Sequence, residues 1–308
     1  MNKVANYDTL DYDYSTYWKK REYEHQSEQL VLKKLFKNIK NSKWFIDIGG
    51  SYGRLLPSYY DIYSNPIIVD YSLKTLQKNY EHIRKDFPRV ELIAANAYFL
   101  PFKSNTFNGG LMVRVLHHVD RPLEYFKEIY RVMSPNGIYI QEFANKAHIK
   151  AVLRALFKLD FSVFNKEPYQ QPKKGNDEGA KRGAYVPFLN YHTSWIQEKL
   201  KDLGFKIGRK YGCSFLRLNI FKKLFKTRTL LFFEKIFQTA FSWVNISPSI
   251  FIKSIAEKEI TEKEYSELNQ ILACPKCKGN LEISSTKAIC THCKKEFNKN
   301  ENIWDFRI

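Results

Sequence analysis

No run of about eighteen apolar residues occurs in the 308-residue sequence, so no helical membrane span is expected. The opening stretch, "MNKVANYDTLDYDYSTYWKKREYEH", has no apolar h-region and does not read as a signal peptide; the expected location is cytoplasmic. Cysteine is nearly absent before the last thirty-five residues, which hold four of the five. That distribution argues against a disulfide framework. Cys213 stands alone, with no obvious base or helix N-terminus beside it, and is expected to be a small buried apolar residue rather than a nucleophile. Acidic residues are in deficit: 32 Asp and Glu face 50 Lys and Arg, a formal charge of +18. Such a field attracts RNA, anionic lipid or phosphorylated substrates, or it is only a lysine-rich solvated surface.

Two familiar phosphate-loop spellings are also missing. In "WFIDIGGSYGR" (44–54) an apolar run ends in Asp47 and a glycine cluster follows. A strand turning here into a helix N-terminus would present free N–H groups, and glycine would let a ligand approach the backbone. A P-loop needs Gly-Lys-Ser/Thr, but Gly53 is followed by Arg54 and Leu55. The dinucleotide pattern counted from Gly49 needs glycine at 51 and 54, where Ser51 and Arg54 stand. The Asp-x-Gly-x-Gly-x-Gly loop of S-adenosylmethionine sites has no pyrophosphate to cradle. Asp47, Gly49 and Gly53 fit it, and Gly50 offsets the loss at Ser51.

What is present is an alternation of strand and helix patterns. "SEQLVLKKLFKNIK" places Leu30, Leu32, Leu35, Phe36 and Ile39 near one stripe. "WFIDI", "PIIVD", "VELIAAN", "GGLMVRVL" and "IYIQEF" read as five strands. "GGSYGRLLPSYYDIY" turns toward a helix, and "SLKTLQKNYEHIRKDF" is a helix capped by Ser72. "RPLEYFKEIYRVM" is a third helix, followed by a turn at "SPNG". "SWIQEKLKDLGF" carries a capping box at Ser194 and Gln197 and a glycine stop at Gly204. "FKIGRKYG" and "SPSIFIKSIA" are the last two strands. The expected class is α/β: a Rossmann-like, doubly wound, seven-stranded and mostly parallel sheet with a ligand crevice at the strands' carboxyl ends. The expected boundaries are an N-terminal helical lid over 1–40, a core domain over 41–256 with a cap at 147–192, a linker over 257–272 and a small domain over 273–308.

Asp70 ends the second strand, where a carboxylate can accept both ribose hydroxyls. Asn96 ends the third, followed by Ala97, and an amide there can pair with an adenine edge. With "LPF" at 100–102 and "RVLHHV" at 114–119, the sequence resembles the class I S-adenosylmethionine-dependent methyltransferases of the type 11 kind. "GRL" (53–55), "VRVLHH" (113–118) and "EFANK" (142–146) resemble one bacterial subgroup of them. Ser51 departs from that family's glycine, and Asn96 and Asn108 from its aspartates. The resemblance implies S-adenosylmethionine as cofactor. It implies that Asp47, Gly49, Gly50, Ser51 and Gly53 face the methionine part, Asp70 and Tyr71 the ribose, Asn96 and Ala97 the adenine, and Arg114, Val115 and Leu116 the sulfonium side.

His117 and His118 sit where the fourth strand opens toward substrate. Either is a candidate general base, and the alternative is that one packs under the sheet and the other only shapes the pocket. Tyr17 and Arg21 in the lid, Glu142 and Asn145 past the fifth strand, and Tyr191 and His192 in the cap are candidate substrate contacts. In "LNIFKKLFKTRTLLFFEKIFQTAFSWV" the basic amphipathic stretch around Lys222, Lys223, Lys226 and Arg228 suits either a peripheral contact with an anionic membrane or a helix pair packed over the sheet.

The tail puts Cys274, Cys277, Cys290 and Cys293 in C-x2-C-x12-C-x2-C spacing, which aims four thiolates at one tetrahedral point. A closed set of four cysteines marks structural zinc. A redox pair and His292 as a substitute ligand are the weaker readings. About forty residues bury too little surface to fold unaided, so metal would supply the folding energy. "LACPKCKGNLEISSTKAICTHCKKEFNKNENIWDF" resembles the zinc-ribbon activator subunit of tRNA, rRNA and release-factor methyltransferases, here fused in one chain. That likeness implies packing against a methyltransferase domain.

Three functions stay open at this point. The chain methylates a small-molecule or lipid-linked metabolite under an aromatic cap that includes Tyr185, Phe188, Tyr191 and Trp195. Or it methylates tRNA or rRNA, although no RNA-binding motif and no "NPPY"-type tetrapeptide appears. Or it is a non-enzymatic cofactor-binding partner protein.

Overall fold

A computed structural model describes residues 8, 17, 18, 20–40, 42–171, 188–260 and 265–308. Seven strands form the expected core: β1 (Ser42–Ile48), β2 (Tyr63–Asp70), β3 (Glu91–Ala94), β4 (Phe107–Met112), β5 (Met133–Ala144), β6 (Phe205–Cys213) and β7 (Ser249–Ala256). Their order is β3-β2-β1-β4-β5-β7-β6, with β7 antiparallel between β5 and β6 and the other pairings parallel. The chain reverses direction of winding between β1 and β4, which opens a crevice at their carboxyl ends. Side chains on β1 alternate between two cores: Trp44, Ile46 and Ile48 face one, and Phe45, stacked on Tyr59 at 4.2 Å, faces the other. Both faces of the sheet are therefore covered, as a parallel sheet requires.

The sheet does not stop at seven strands. The cysteine-rich tail adds β8 (Leu281–Ile283), β9 (Lys287–Cys290), β10 (Glu296–Asn300) and β11 (Ile303–Asp305), and β11 pairs parallel with β3 through Trp304↔Ile93 and Asp305↔Ala94. The result is one eleven-stranded sheet. The expectation of seven is corrected because this pairing joins segments two hundred residues apart, with no local signal in either. Trp304, Phe306, Phe297 and Ile271 also share the main core, so the tail is packed onto the domain rather than tethered beside it. The stretch expected to be a linker is anchored too: Trp44 Nε1 donates to Tyr265 O at 2.9 Å, and Lys258 Nζ to Met133 O at 2.7 Å.

Eight α-helices occur among the described residues: α1 (Glu22–Leu35), α2 (Leu73–Asp86), α3 (Pro122–Val132), α4 (Ile149–Lys158), α5 (Thr193–Asp202), α6 (Asn219–Leu224), α7 (Thr227–Ala240) and α8 (Leu268–Ile271). Ser72 caps α2 by accepting from Thr75 N, and Gly204, at φ +100°, ends the α5 turn as expected. Two expectations fail. The segment after β1 makes only a 3-10 turn, Leu56–Ser58, because Pro57 cannot donate within a longer helix and Tyr59 is drawn inward to Asp47. The cap of α5 is His192, whose Nδ1 accepts from Ser194 N, so Ser194 lies inside the helix and forms no capping box. No described helix is long and apolar enough to cross a membrane.

Candidate functional site

The turn after β1 is shaped by its neighbours. Gly49 (φ +71°) lies so close to Val115 that a Cβ there would sit 2.3 Å from Val115 Cγ2. Ser51 takes φ +50°, a left-handed conformation that glycine adopts freely and serine does not, which explains why the family carries glycine there. Ser51 N–H donates to Asp70 Oδ2 at 3.0 Å and Ser72 N–H to Oδ1 at 2.9 Å. Each oxygen of Asp70 keeps a lone pair for a ligand hydroxyl. Burial pushes the Asp70 carboxyl up to about 6 against the pull of those two N–H groups. Ser51 Oγ is buried beside this carboxylate with no hydrogen-bond partner. A buried hydroxyl left unsatisfied in a ligand loop fits a polar group of a bound nucleoside.

Asp47 is buried beneath the turn. Its Oδ2 accepts from Tyr59 OH at 2.8 Å, and burial raises its pKa to about 7. Asn96 is buried at the end of β3, and its Oδ1 accepts from Tyr98 N, which fixes the amide in an Asx turn next to half-buried Ala97. Asp47, Gly49, Gly50, Ser51, Gly53, Asp70, Tyr71, Asn96, Ala97 and Val115 thus gather along the carboxyl edge of β1, β2, β3 and β4.

Arg114 behaves differently from the sequence expectation. β4 ends at Met112, and Arg114 turns through φ +63°. Its guanidinium meets Glu28 of α1, with Nε 2.6 Å from Oε1. Arg54, from the glycine turn, places Nη2 2.6 Å from the other oxygen. Burial works to raise the pKa of Glu28, but Arg114 and Arg54 outweigh it and hold the carboxyl below its usual range. Trp18 lies under Arg54 at 3.7 Å, and Arg21 lies over Tyr17 at 4.1 Å. The N-terminal segment is therefore tied to the turn by the Glu28–Arg54 pair and by Trp18 against Arg54. Sequence reasoning missed Glu28; its signal is a carboxylate on the stripe that also carries Val31, Leu32 and Leu35.

Leu116 is fully buried, and His117 and His118 follow it in a 3-10 turn with ring centroids 3.9 Å apart. Phe188 covers both, at 4.5 and 5.8 Å. Burial, then the neighbouring His118 and Arg114, hold His117 neutral by pushing its pKa well below the usual value. Glu142 accepts from Arg114 N–H at 2.8 Å and from the Ser249 hydroxyl, so both its oxygens are engaged within the protein. Asn145 donates to Asn245 O and Ser247 O, both at 2.8 Å, and accepts from Ala147 N. Tyr191 is buried, its hydroxyl directed to Leu116 O, and His192 caps α5. Each of these four side chains is engaged within the protein. Tyr185 lies outside the described residues. Cys213 is fully buried, with its thiol pushed up by burial.

Comparison with known proteins shows what this crevice is similar to. Residues 46–141 match the family described as a methyltransferase domain. That segment of the chain carries a methyltransferase domain. Among curated relatives, an uncharacterized protein of Methanocaldococcus jannaschii is 25% identical over 226 residues, covering 72% of this chain and 83% of that protein. Demethylmenaquinone methyltransferase of Chlamydia trachomatis is 32% identical over 96 residues, which is 30% of this chain and 40% of that enzyme. Among solved structures, an S-adenosylmethionine-dependent methyltransferase of Thermotoga maritima aligns with TM-score 0.52 and 16% identity over 82% of this chain and 98% of its own. A chain from the complex between the Haloferax volcanii Trm112 methyltransferase activator and a methyltransferase aligns with TM-score 0.52 and 12% identity, over 80% and 99%. At those identities the structural likeness is one of fold. Outside the methyltransferase crevice, the Sγ atoms of Cys274, Cys277, Cys290 and Cys293 lie within 4.8 Å of one another, an arrangement that can hold a metal ion.

Proposed function

We propose that this methyltransferase acts on a small-molecule or lipid-linked acceptor. The observation that carries it is the crevice itself: a carboxylate tied to Ser51 N–H, an unpartnered Ser51 hydroxyl and a turn packed on Val115, closed by Phe188 over two histidines. An aromatic wall of that kind suits a compact acceptor. The name of the Chlamydia relative, demethylmenaquinone methyltransferase, points the same way.

Bound S-adenosylmethionine supplies an electrophilic methyl group on a sulfonium. Asp70 would hold its ribose, Asn96 its adenine, and the 49–53 turn its methionine part. The protein's share is alignment and exclusion of water, and near-attack positioning of this kind can contribute ~7 kcal/mol or more. Where the acceptor is protonated, His118 takes the proton, since it is the more exposed of the two and burial makes His117 the weaker base. Glu142 acts as a positioning residue: it fixes the backbone of Arg114 and, through it, the turn that carries the histidines.

The four tail cysteines bind structural zinc. Their paired Sγ separations, 3.6 Å for Cys274–Cys293 and 3.4 Å for Cys277–Cys290, suit thiolates at ~2.3 Å from one tetrahedral ion. The ribbon serves this chain in cis, as its likeness to a methyltransferase activator implies.

Calorimetry with S-adenosylmethionine, S-adenosylhomocysteine, NAD and ATP tests the cofactor. Labelled S-adenosylmethionine with fractionated extract tests the acceptor. Label entering a low-molecular-weight or lipid fraction is expected. Label entering RNA, or cofactor binding without any labelled product, replaces the reading by an RNA methyltransferase or a cofactor-binding scaffold.

A further inference from the structure

An ordinary surface helix turns its apolar stripe inward. Two helices here do the reverse. The buried face of α7 is Leu230, Glu234 and Gln238, and the last two are consumed in a polar network with Tyr23, Ser27 and the backbone of Ser214. Its outer face carries Phe232, 63% exposed, with Phe233 and Ile236. α4 buries only Ala155, while Leu153, Leu156 and Phe157 point to solvent, Phe157 at 89%. Between them α6 has no buried residue and leaves Leu224 68% exposed, and Trp243 follows α7 at 76%.

These helices belong to one edge of the molecule. α4 leaves the carboxyl end of β5, and α6 follows that of β6, which runs parallel to β5 because both are antiparallel to β7. Ile149 N–H, at the start of α4, donates to Ile246 O in the loop after α7 at 2.8 Å. This is the edge on which the crevice opens. Across 147–166 and 215–246 the chain carries ten lysines and arginines against two acidic residues, of which Glu234 is buried. Burial, then Arg217, Arg154 and Lys150, push His148 down to about 4, so cations of α4 and of the α6 approach share one neighbourhood.

Outward phenylalanine and leucine set among lysines match one class of partner. We propose that α4, α6 and α7 form a docking face for an anionic lipid bilayer, with Phe157, Leu224, Phe232 and Trp243 entering the headgroup–acyl boundary and Lys150, Arg154, Lys223 and Lys226 at the phosphates. Docking there sets the crevice mouth against the membrane, which deepens the proposed function toward an acceptor drawn from the lipid phase and, in that respect, rests on it. RNA would pair with the lysines but would leave the aliphatic side chains without a partner.

Flotation of the full-length protein with phosphatidylglycerol-containing vesicles, against pure phosphatidylcholine vesicles, is the test. Binding to the anionic vesicles that weakens at high salt is expected. The pairs Leu156→Ser with Phe157→Ser, and Lys223→Glu with Lys226→Glu, should each cut partitioning by tenfold or more while thermal melting and cofactor binding stay unchanged. Brominated lipid should quench the fluorescence removed by Trp243→Phe. Equal binding to neutral vesicles, no binding, or indifference to both pairs overturns the proposal. So does a solution dimer abolished by the α4 pair, or RNA bound where vesicles are not. Vesicle binding requires no methyl transfer, so a protein that floats but takes no S-adenosylmethionine refutes the proposed function and leaves the docking face standing.

Discussion

Glu28 carries two guanidinium groups on one fully buried carboxylate, Arg54 on Oε2 and Arg114 on Oε1, each at 2.6 Å. The three residues come from the N-terminal helix, the turn after β1 and the turn after β4, so one ion cluster fixes both turns of the crevice. Removing the shared partner strands two cations, and breaking such a buried pair costs about 3–5 kcal/mol. Glu28→Gln should therefore lower stability by that order in urea melts and weaken S-adenosylmethionine binding in calorimetry. A variant with wild-type stability and affinity would show that the cluster does not hold the site.

Ser51 occupies a left-handed position with its hydroxyl unpaired. Ser51→Gly removes the backbone strain, and the expected gain is about 1 kcal/mol at most, since glycine also loosens the unfolded chain. If the hydroxyl serves the cofactor, the same variant binds S-adenosylmethionine several-fold more weakly while its melting temperature rises. A rise in both would place the hydroxyl outside the cofactor contacts.

Asp70 and Asp47 give the unliganded protein a pH dependence of definite sign. Their folded pKa values, about 6 and about 7, lie above the ordinary 3.8. Between those limits the folded state holds protons that the unfolded chain releases, so stability falls as pH rises from about 4 to 6–7, by on the order of 1.4 kcal/mol per unit for each group. Ribose hydroxyls favour the ionised Asp70 carboxylate, so cofactor affinity should fall as pH drops below about 6. Melts and calorimetry across pH 4–8, with Asp70→Asn and Asp47→Asn, check both. In Asp70→Asn the affinity should be weak and lose its pH dependence in this range.

Much of this site was legible because short apolar runs located β1 to β5, and because Asp47, Asp70 and Asn96 mark where three of those runs stop. The clamp was not. Glu28 looks like one more solvated charge until its place on the Val31–Leu35 stripe is seen, and Arg114 reads as a pocket residue until β4 ends two residues before it. Local rules worked at Ser72 and Gly204, whose own backbones decide the matter. They failed at His192, where an imidazole nitrogen replaces the usual oxygen cap, and after β1, where Tyr59 is drawn to a buried carboxylate twelve residues back. The β11–β3 pairing depends on contact between distant segments and has no pattern of its own.

His117 is buried and His118 half-buried, and the proposed function gives the two different roles. His118→Ala should lower kcat and remove the acid limb of the pH–rate profile. His117→Ala opens a cavity under Phe188 and should reduce stability by about 1–3 kcal/mol, with a smaller effect on kcat. Full activity in both variants would take histidine out of the proton transfer.

Metal removal tests whether the tail governs the crevice or only decorates it. Lys278, between the cysteines, donates to Leu100 O at 3.1 Å and to Glu128 Oε1 at 2.6 Å. Arg307, just past β11, reaches Asp8 Oδ2 at 2.7 Å and Tyr71 O at 3.4 Å, next to the Asp70 carboxylate. If zinc folds the ribbon, chelation or Cys277→Ser releases β11 from β3 and loosens Tyr71. The protein should then melt at markedly lower temperature and bind S-adenosylmethionine at least several-fold more weakly, with the zinc content tracking both losses. Arg307→Ala keeps the metal and removes the contacts of Arg307 with Tyr71, Asp8 and Asp305. Weaker cofactor binding with unchanged zinc content would show that the tail acts on the crevice through Arg307, whereas unchanged binding would confine it to covering the β3 edge.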